Sequence, residues 1–149
     1  MDTINVYFTH RRNPKVPLAD SIGAMSEPVE QDKVRYLGLS EGSGAELRKA
    51  NAIHAITAME QEWSLLNRQA EDTTVPAAAE LDVAIVPYSP RGCGFLTEKS
   101  TSAASAVRRY EARSRSTRAD NAKANSALRQ PVHDIAGKRA VTTAQVALA

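Results

Sequence analysis

The chain is sparing with several groups, and each shortage excludes something. It holds one cysteine, Cys93, in 149 residues. An internal disulfide framework is therefore excluded, and a reducing compartment is the natural setting. No apolar run approaches the roughly 20 residues that span a bilayer. The start, Met1-Asp2-Thr3, has neither a basic region nor a long apolar region, so it is no secretory signal. These three shortages make a soluble cytoplasmic protein, with no membrane partner, the expectation. Charge of one sign is also scarce: the net charge is +2. That balance argues against nucleic acid as a partner. Neither a Walker A loop nor a dinucleotide fingerprint occurs. His54 and His133 have no cysteine or histidine at ligand spacing, so a metal site is not expected. Cys93 lacks an evident base partner and is not read as a nucleophile.

What is present is alternation. Four short apolar runs, Ile4 to His10, Val34 to Ser40, Ile56 to Glu60 and Val83 to Tyr88, are separated by helical patterns. Strand, helix, strand, repeated, describes a parallel sheet. The expected class is α/β, a partial (β/α)8 TIM barrel of about four parallel strands, because a complete barrel needs about 250 residues. Each run ends on a residue able to grip a ligand, and a β/α barrel carries its site at the C-terminal strand ends. His10, Ser40, Glu60 and Tyr88 should therefore ring one mouth.

The connecting segments carry recognisable punctuation. Pro17 suits the opening of a first helix, with Leu18, Ile22, Met25 and Val29 as its apolar stripe. Pro28 falls late in that stripe and should clash with the carbonyl of Ala24, at a cost of about 3 kcal/mol. Ser43 with Glu46 forms a capping box for a second helix, whose inner face is Leu47, Ala50 and Ile53. A third helix is expected near Thr74 to Leu81, with Pro76 in its first turn. Residues 97–120 read as one long loop within a single domain, 1–149. Its arginines, Arg108, Arg109, Arg113, Arg115 and Arg118, make a positive field. Only Tyr110 is there for base stacking, so a solvated basic loop is the better reading. A last long helix is expected over Asn121 to Gly137, with Leu128, Val132 and Ile135 on one face and Pro131 interrupting it. Thr142 and Gln145 form another capping box. Both ends look cut: the first strand starts within a few residues of Met1, and the last helix has barely opened.

The candidate site residues have plain alternatives. His10, followed by Arg11 and Arg12, could orient a carbonyl or shuttle a proton, or be a solvated strand-end histidine. Tyr88 could wall a pocket by stacking on a flat ligand. The loop Ser89-Pro90-Arg91-Gly92-Cys93-Gly94 could offer amides to phosphate oxygens, or be an ordinary tight loop. Ser40 and Glu60 draw their interest from position alone.

Five stretches in one order carry a resemblance. They are Thr9-His10-Arg11, Val29 to Glu41, Glu62-Trp63-Ser64-Leu65, Val86-Pro87-Tyr88-Ser89-Pro90, and Gly92 with Gly94-Phe95-Leu96. Together they resemble the middle of an aldo-keto reductase, of the NADP-dependent branch similar to potassium-channel β subunits. The likeness runs almost without gaps from Ile4 to about Leu96 and resumes more loosely from Asn121 to Ala149.

The resemblance implies a β/α barrel that binds NADP(H) and transfers hydride to a small aldehyde or ketone substrate. By matching position, His10 corresponds to the histidine that orients the carbonyl, and Ser40 to a residue contacting the nicotinamide amide. Tyr88 corresponds to the ring stacked on the nicotinamide, and Ser89, Pro90, Arg91, Gly92 and Gly94 to the loop near the cofactor phosphates. In the family, the catalytic aspartate, tyrosine and lysine precede the strand that ends in the histidine, and this chain has nothing before that strand. The segment that binds the adenosine phosphate follows the helix opening at Thr142, and it too is missing.

Glu60 stands where a glutamine usually holds the amide. A carboxylate there accepts but no longer donates, and it favours the cationic oxidised ring. Arg91 replaces a leucine, Asp32 a turn glycine, and Cys93 often an arginine. The resemblance thus implies a reductase fragment inactive on its own. The alternative is a non-catalytic half-barrel that binds a nucleotide or a partner, its open sheet edges inviting self-association.

Overall fold

The computed structural model describes residues 3–97 and 129–149. The loop expected over 97–120, with its arginines and Tyr110, and the start of the last helix with Leu128, lie outside them beyond Thr97. Four strands form one sheet in the order β1 (Ile4–Phe8), β2 (Val34–Ser40), β3 (Ile56–Glu62), β4 (Ala84–Tyr88). Every neighbouring pair is parallel. Helices α1 (Leu18–Glu30), α2 (Gly44–Asn51) and α3 (Ala70–Glu80) make the crossovers. The α/β class and the parallel order are as the sequence indicated. The chain divides into two compact units: residues 1–63 with 67–88, and residues 64–66 with 89–149.

In the first unit the core lies between one sheet face and the helices. Leu37, Leu39 and Met59 point to Ile22 and Met25 of α1, Leu47 and Ala50 of α2, and Ala77 and Ala78 of α3. Ile22, Leu37, Leu47 and Met59 are fully buried. Burying one such side chain contributes about 1.5–3 kcal/mol. Strand alternation should put Ile56 and Met59 on opposite faces, yet both are buried in this core. The register explains it: Leu37 pairs with Ile56 and Gly38 with Ala58, so Thr57 is an extra residue. That irregularity keeps both apolar side chains inward.

The opposite sheet face carries Ile4, Val6, Phe8, Tyr36, Gly38, Ala58 and Val86, as the pairing of β1 to β4 requires. Ile4, Tyr36 and Val86 are 50%, 52% and 44% exposed. A Cβ on Gly38 would run into the Phe8 ring, which lies directly over Gly38. A Cβ on Gly44 would run into the Thr73 carbonyl oxygen, which is how closely α2 approaches α3.

Several helix boundaries differ from the expectations, each for a physical reason. α2 opens with the Ser43–Glu46 capping box as anticipated. It stops at Asn51, so Ile53 lies beyond it and is 46% exposed rather than inward. α3 starts at Ala70, not near Thr74, which puts Pro76 in mid-helix. The early start follows from the Arg68–Glu71 pair, which places a carboxylate in the first turn. α1 continues through Pro28 to Glu30. Three glycine-like stops recur. In α1, Lys33 N–H donates to Pro28 O and Asp32 N–H to Val29 O, with Asp32 at φ 57°. In α3, Val83 N–H donates to Ala78 O, with Asp82 at φ 55°.

The second unit holds a 3₁₀ turn (Gly92–Gly94) and helices α4 (Gln130–Arg139) and α5 (Thr143–Leu148). Pro131 was expected to interrupt a helix; within the described residues it stands in the first turn of α4, where its missing N–H costs nothing. Val132 and Ala136 are buried, whereas Ile135 is 48% exposed and so leaves the expected apolar face. α4 ends on the third such stop: Val141 N–H donates to Ala136 O, with Ala140 at φ 52°. α5 opens on the expected Thr142–Gln145 capping box. Arg129 ties α4 to the preceding loop, donating to the Thr97 carbonyl at 3.0 Å and lying over the Phe95 ring.

Candidate functional site

The C-terminal ends of the four parallel strands belong to the first unit and bring four side chains to one edge. Ser40 and Glu60 are direct partners across β2 and β3, and Glu62 and Tyr88 across β3 and β4. Pairing of this kind puts side chains on the same face about 4.8 Å apart. Ser40 is 3% exposed. Glu60 and Tyr88 are half-buried. β1 is shorter than expected and ends at Phe8, so His10 does not close the strand. Thr9 N–H still donates to Gly38 O at 3.1 Å, and His10 follows as an exposed residue in the bend.

Arg11 joins three of these strand ends. Its Nη1 donates to the His10 carbonyl at 2.7 Å and to Ser40 Oγ at 2.9 Å. Its guanidinium carbon lies 5.9 Å from the centre of the Tyr88 ring, within cation–π range. The sequence reading passed over Arg11. Only its place directly after His10 pointed to it, and nothing in the sequence shows that its side chain would turn back across β2.

Two carboxylates bear on the Tyr88 end of this edge. Glu41 follows β2 at φ 57°, its N–H donating to the Glu60 carbonyl at 2.9 Å. Its carboxylate accepts from the Glu62 N–H at 3.0 Å. The Tyr88 hydroxyl is pushed well above the ordinary tyrosine range. Burial is the main cause, followed by the Glu41 carboxylate that its hydroxyl faces and by the charge of Glu62, with Arg11 opposing. Tyr88, neutral at physiological pH like any tyrosine, is harder still to ionise here. Among the described residues, no side-chain hydrogen bond or ion pair reaches the Glu60 carboxylate.

Behind the edge, Arg12 pairs with Glu46 at 3.1 Å. Trp63 Nε1 donates to Glu71 at 2.9 Å, and Arg68 holds the same carboxylate through two nitrogens at 2.7 and 2.8 Å. The Arg68 and Trp63 bonds hold the Glu71 carboxyl below its usual range, Arg68 having the larger effect. This latch fixes the segment between β3 and α3.

The Ser89 to Gly94 segment belongs to the second unit. Ser89 takes φ 53° and Gly92 φ 54°. Gly92 N–H donates to the Ser89 carbonyl at 2.8 Å, and Gly94 N–H to the Arg91 carbonyl at 3.1 Å. Both glycine amides are thus engaged inside the turn and are not displayed for phosphate. Arg91 is exposed and Pro90 half-buried. A guanidinium is the group this turn offers to an anion. Among the described residues no set of three or more His, Cys, Asp or Glu could hold a metal ion. No described helix is long and apolar enough to cross a membrane.

A parallel βα sheet with its polar residues gathered at the C-terminal strand ends has the arrangement of a β/α-barrel enzyme segment. The profile of the aldo/keto reductase family matches residues 1–149. The chain belongs to that family. It is 38% identical to the probable aldo-keto reductase 1 of Glycine max, over all of this chain and 43% of that protein. It superimposes on the glycerol dehydrogenase of Gluconobacter oxydans with TM-score 0.88 at 19% identity, covering 98% of this chain and 45% of that one. A thermostable aldo-keto reductase in complex with the inhibitor epalrestat gives TM-score 0.71 at 22% identity, over 97% and 44% of the two chains. The chain therefore spans less than half the length of these relatives.

Proposed function

We propose that residues 1–149 form part of one barrel domain of an oxidoreductase that transfers hydride between NADP(H) and a small aldehyde or ketone. The observation that supports it is the pairing of Ser40 with Glu60 on one face beside the neutral Tyr88 ring. A nicotinamide presents a flat ring and a carboxamide with one acceptor oxygen and two N–H groups. Ser40 supplies a hydroxyl donor, Glu60 a carboxylate acceptor and Tyr88 an uncharged aromatic face, so the residue types fit that group. When bound, the cofactor supplies or accepts the hydride. Ser40 and Glu60 hold its amide, and Tyr88 shields one ring face from water. His10 orients the substrate carbonyl, and Ser89, Pro90, Arg91, Gly92 and Gly94 supply the phosphate-binding segment, with Arg91 as its cation. Tyr88 is ill suited to donate a proton, because burial and the facing Glu41 carboxylate make its hydroxyl a weaker acid.

In this reading the 149-residue chain alone reduces carbonyls poorly, since a positioned general acid contributes about 10²- to 10⁴-fold. A reducing, cytoplasmic setting suits the lone Cys93. The test is titration of the chain with NADPH and NADH, followed by NADPH oxidation with simple aldehydes. Binding with a preference for NADPH supports the reading, absence of binding refutes it, and fast turnover refutes the claim of poor stand-alone activity.

A second reading, a non-catalytic half-barrel that binds a nucleotide or a partner, has its own support. The outer faces of β1 and β4 are unpaired among the described residues, and Ile4, Tyr36 and Val86 are exposed on the sheet face away from the helices. Such edges and patches invite self-association. Sedimentation at increasing concentration decides it: a monomer throughout excludes self-association.

A further inference from the structure

We infer that Arg11 is a positioning residue that acts through Ser40, fixing its hydroxyl as the donor to the carbonyl oxygen of the nicotinamide amide. This rests on the nicotinamide reading above and goes beyond it, because it assigns the orientation of the amide and the residue that sets it. Ser40 Oγ has one O–H and two lone pairs. Arg11 Nη1 donates to that oxygen at 2.9 Å, so one lone pair is committed and the O–H must turn away from the guanidinium. Ser40 is 3% exposed, and among the described residues its O–H has no acceptor. A buried hydroxyl left without an acceptor is unfavourable, and a ligand acceptor relieves it.

The neighbour of Ser40 across the sheet is Glu60, whose carboxylate can only accept. Donor and acceptor side by side read an amide in one orientation: oxygen toward Ser40, nitrogen toward Glu60. Were Arg11 not there, the hydroxyl could rotate to either role, and that orientation would be lost.

Arg11 is itself held in place. Its Nη1 is anchored by the His10 carbonyl at 2.7 Å, and its guanidinium carbon lies 5.9 Å from the centre of the Tyr88 ring. The Glu41 and Glu62 charges, at the ends of β2 and β3, bear on that same Tyr88. Arg11 therefore links the proposed carbonyl-orienting residue, the amide donor and the stacking ring by one side chain, without needing to touch the ligand.

The experiment measures binding of NADPH and of its 3-acetylpyridine analogue, which keeps the carbonyl oxygen but has no amide nitrogen. The proteins are wild type, Arg11→Met, Arg11→Lys, Ser40→Ala and the Arg11→Met/Ser40→Ala pair. Far-UV circular dichroism and a thermal melt show that each is folded. Arg11→Met should weaken both ligands by about 3- to 10-fold, the scale of one hydrogen bond. Lysine, which keeps a donor, should restore part of the loss. In the Ser40→Ala background, Arg11→Met should change little, because the two act in series. A full Arg11→Met penalty in that background overturns the inference, as does a penalty seen with NADPH only. Unchanged binding in Arg11→Met overturns the inference and leaves the nicotinamide reading standing. No binding by any protein, wild type included, overturns both. Loss of fold in Arg11→Met shifts the comparison to Arg11→Lys, made with and without Ser40→Ala, where a penalty as large in the Ser40→Ala background as in the wild-type background is the overturning result.

Discussion

Replacing three non-glycine residues by glycine should make this protein more stable. α1, α3 and α4 each end with a residue in the left-handed region: Asp32 at φ 57°, Asp82 at φ 55° and Ala140 at φ 52°. Each is followed by a backbone bond reaching five residues back, from Lys33, Val83 and Val141. That is the geometry in which glycine is preferred, because a Cβ there crowds the neighbouring carbonyl. The left-handed conformation costs an L-residue about 1–2 kcal/mol. Glycine removes that cost but gives back about 0.4–1 kcal/mol in unfolded-chain entropy. The net for Ala140→Gly is a gain of about 0.5–1 kcal/mol. Aspartate tolerates the region better through local hydrogen bonding, so Asp32→Gly and Asp82→Gly should each gain only a few tenths of a kcal/mol.

The three sites end separate helices, so their effects should add. A combined gain near 1.5 kcal/mol raises the urea midpoint by about 0.5–1.5 M, given a slope of about 1–3 kcal/mol per M. Chemical denaturation followed by circular dichroism measures it. Ala24→Gly, an exposed interior position of α1, is the control and should lose about 1 kcal/mol. If Ala140→Gly is destabilising, or gains less than Asp82→Gly, the argument from backbone strain is wrong.

Glu60→Gln should shift cofactor preference toward the reduced form. Removing one charge about 6 Å from the ring, at an effective dielectric of 20–40, is worth about 1–3 kcal/mol, or roughly tenfold or more in the NADP⁺ to NADPH affinity ratio; an unchanged ratio refutes the role. Trp63 is the only tryptophan, and its Nε1 donates to Glu71. Its emission should therefore titrate below the ordinary glutamate range, where the lowered Glu71 carboxyl takes up its proton, and Glu71→Gln should abolish that step.

Glu46 is held below its usual range chiefly by the Ser43 backbone N–H. A lowered carboxylate contributes stability above its unfolded pKa and loses it as the pH falls through the folded one. Wild type should exceed Glu46→Gln in stability at neutral pH, and the difference should vanish in acid. A pH-independent difference in melting temperature would sink this account. Gly44→Ala should destabilise strongly, by about 2 kcal/mol or more, because its new methyl meets the Thr73 carbonyl rather than a side chain that can move; a melt within a degree of wild type would refute that contact.

Much of the fold was written in local patterns. The apolar runs gave all four strands, and the Ser43–Glu46 and Thr142–Gln145 boxes gave two helix starts, because both signals depend on residues close in sequence. What was missed depends on distant partners. The start of α3 at Ala70 follows from the Glu71 carboxylate, which Arg68 and Trp63 hold together. Proline misled differently at two places: Pro76 suggested a helix start and stands in mid-α3, and Pro28, whose ring should clash with the Ala24 carbonyl, stands within a continuous α1. The extra residue at Thr57 could not be foreseen, since only the register against Leu37 and Gly38 reveals it. At the candidate site, alternation put Ser40, Glu60 and Tyr88 at one edge. Arg11 was invisible because a long side chain chooses its direction only once β2 and β4 are beside it.

The order β1-β2-β3-β4 has a kinetic consequence. Every strand pairs with the next strand in sequence, as Ile4 with Val34, Ser40 with Glu60 and Met59 with Ile85. Each step closes a loop of about 20–30 residues, so parallel pairing here is slower than closing a hairpin or a helical turn, but no step has to span the whole chain. The sheet can start from any adjacent strand pair and grow outward one βα step at a time, much as repeat arrays do. Its register is then set by adjacent pairs, with no hydrogen-bonded pairing between its first and last strands among the described residues.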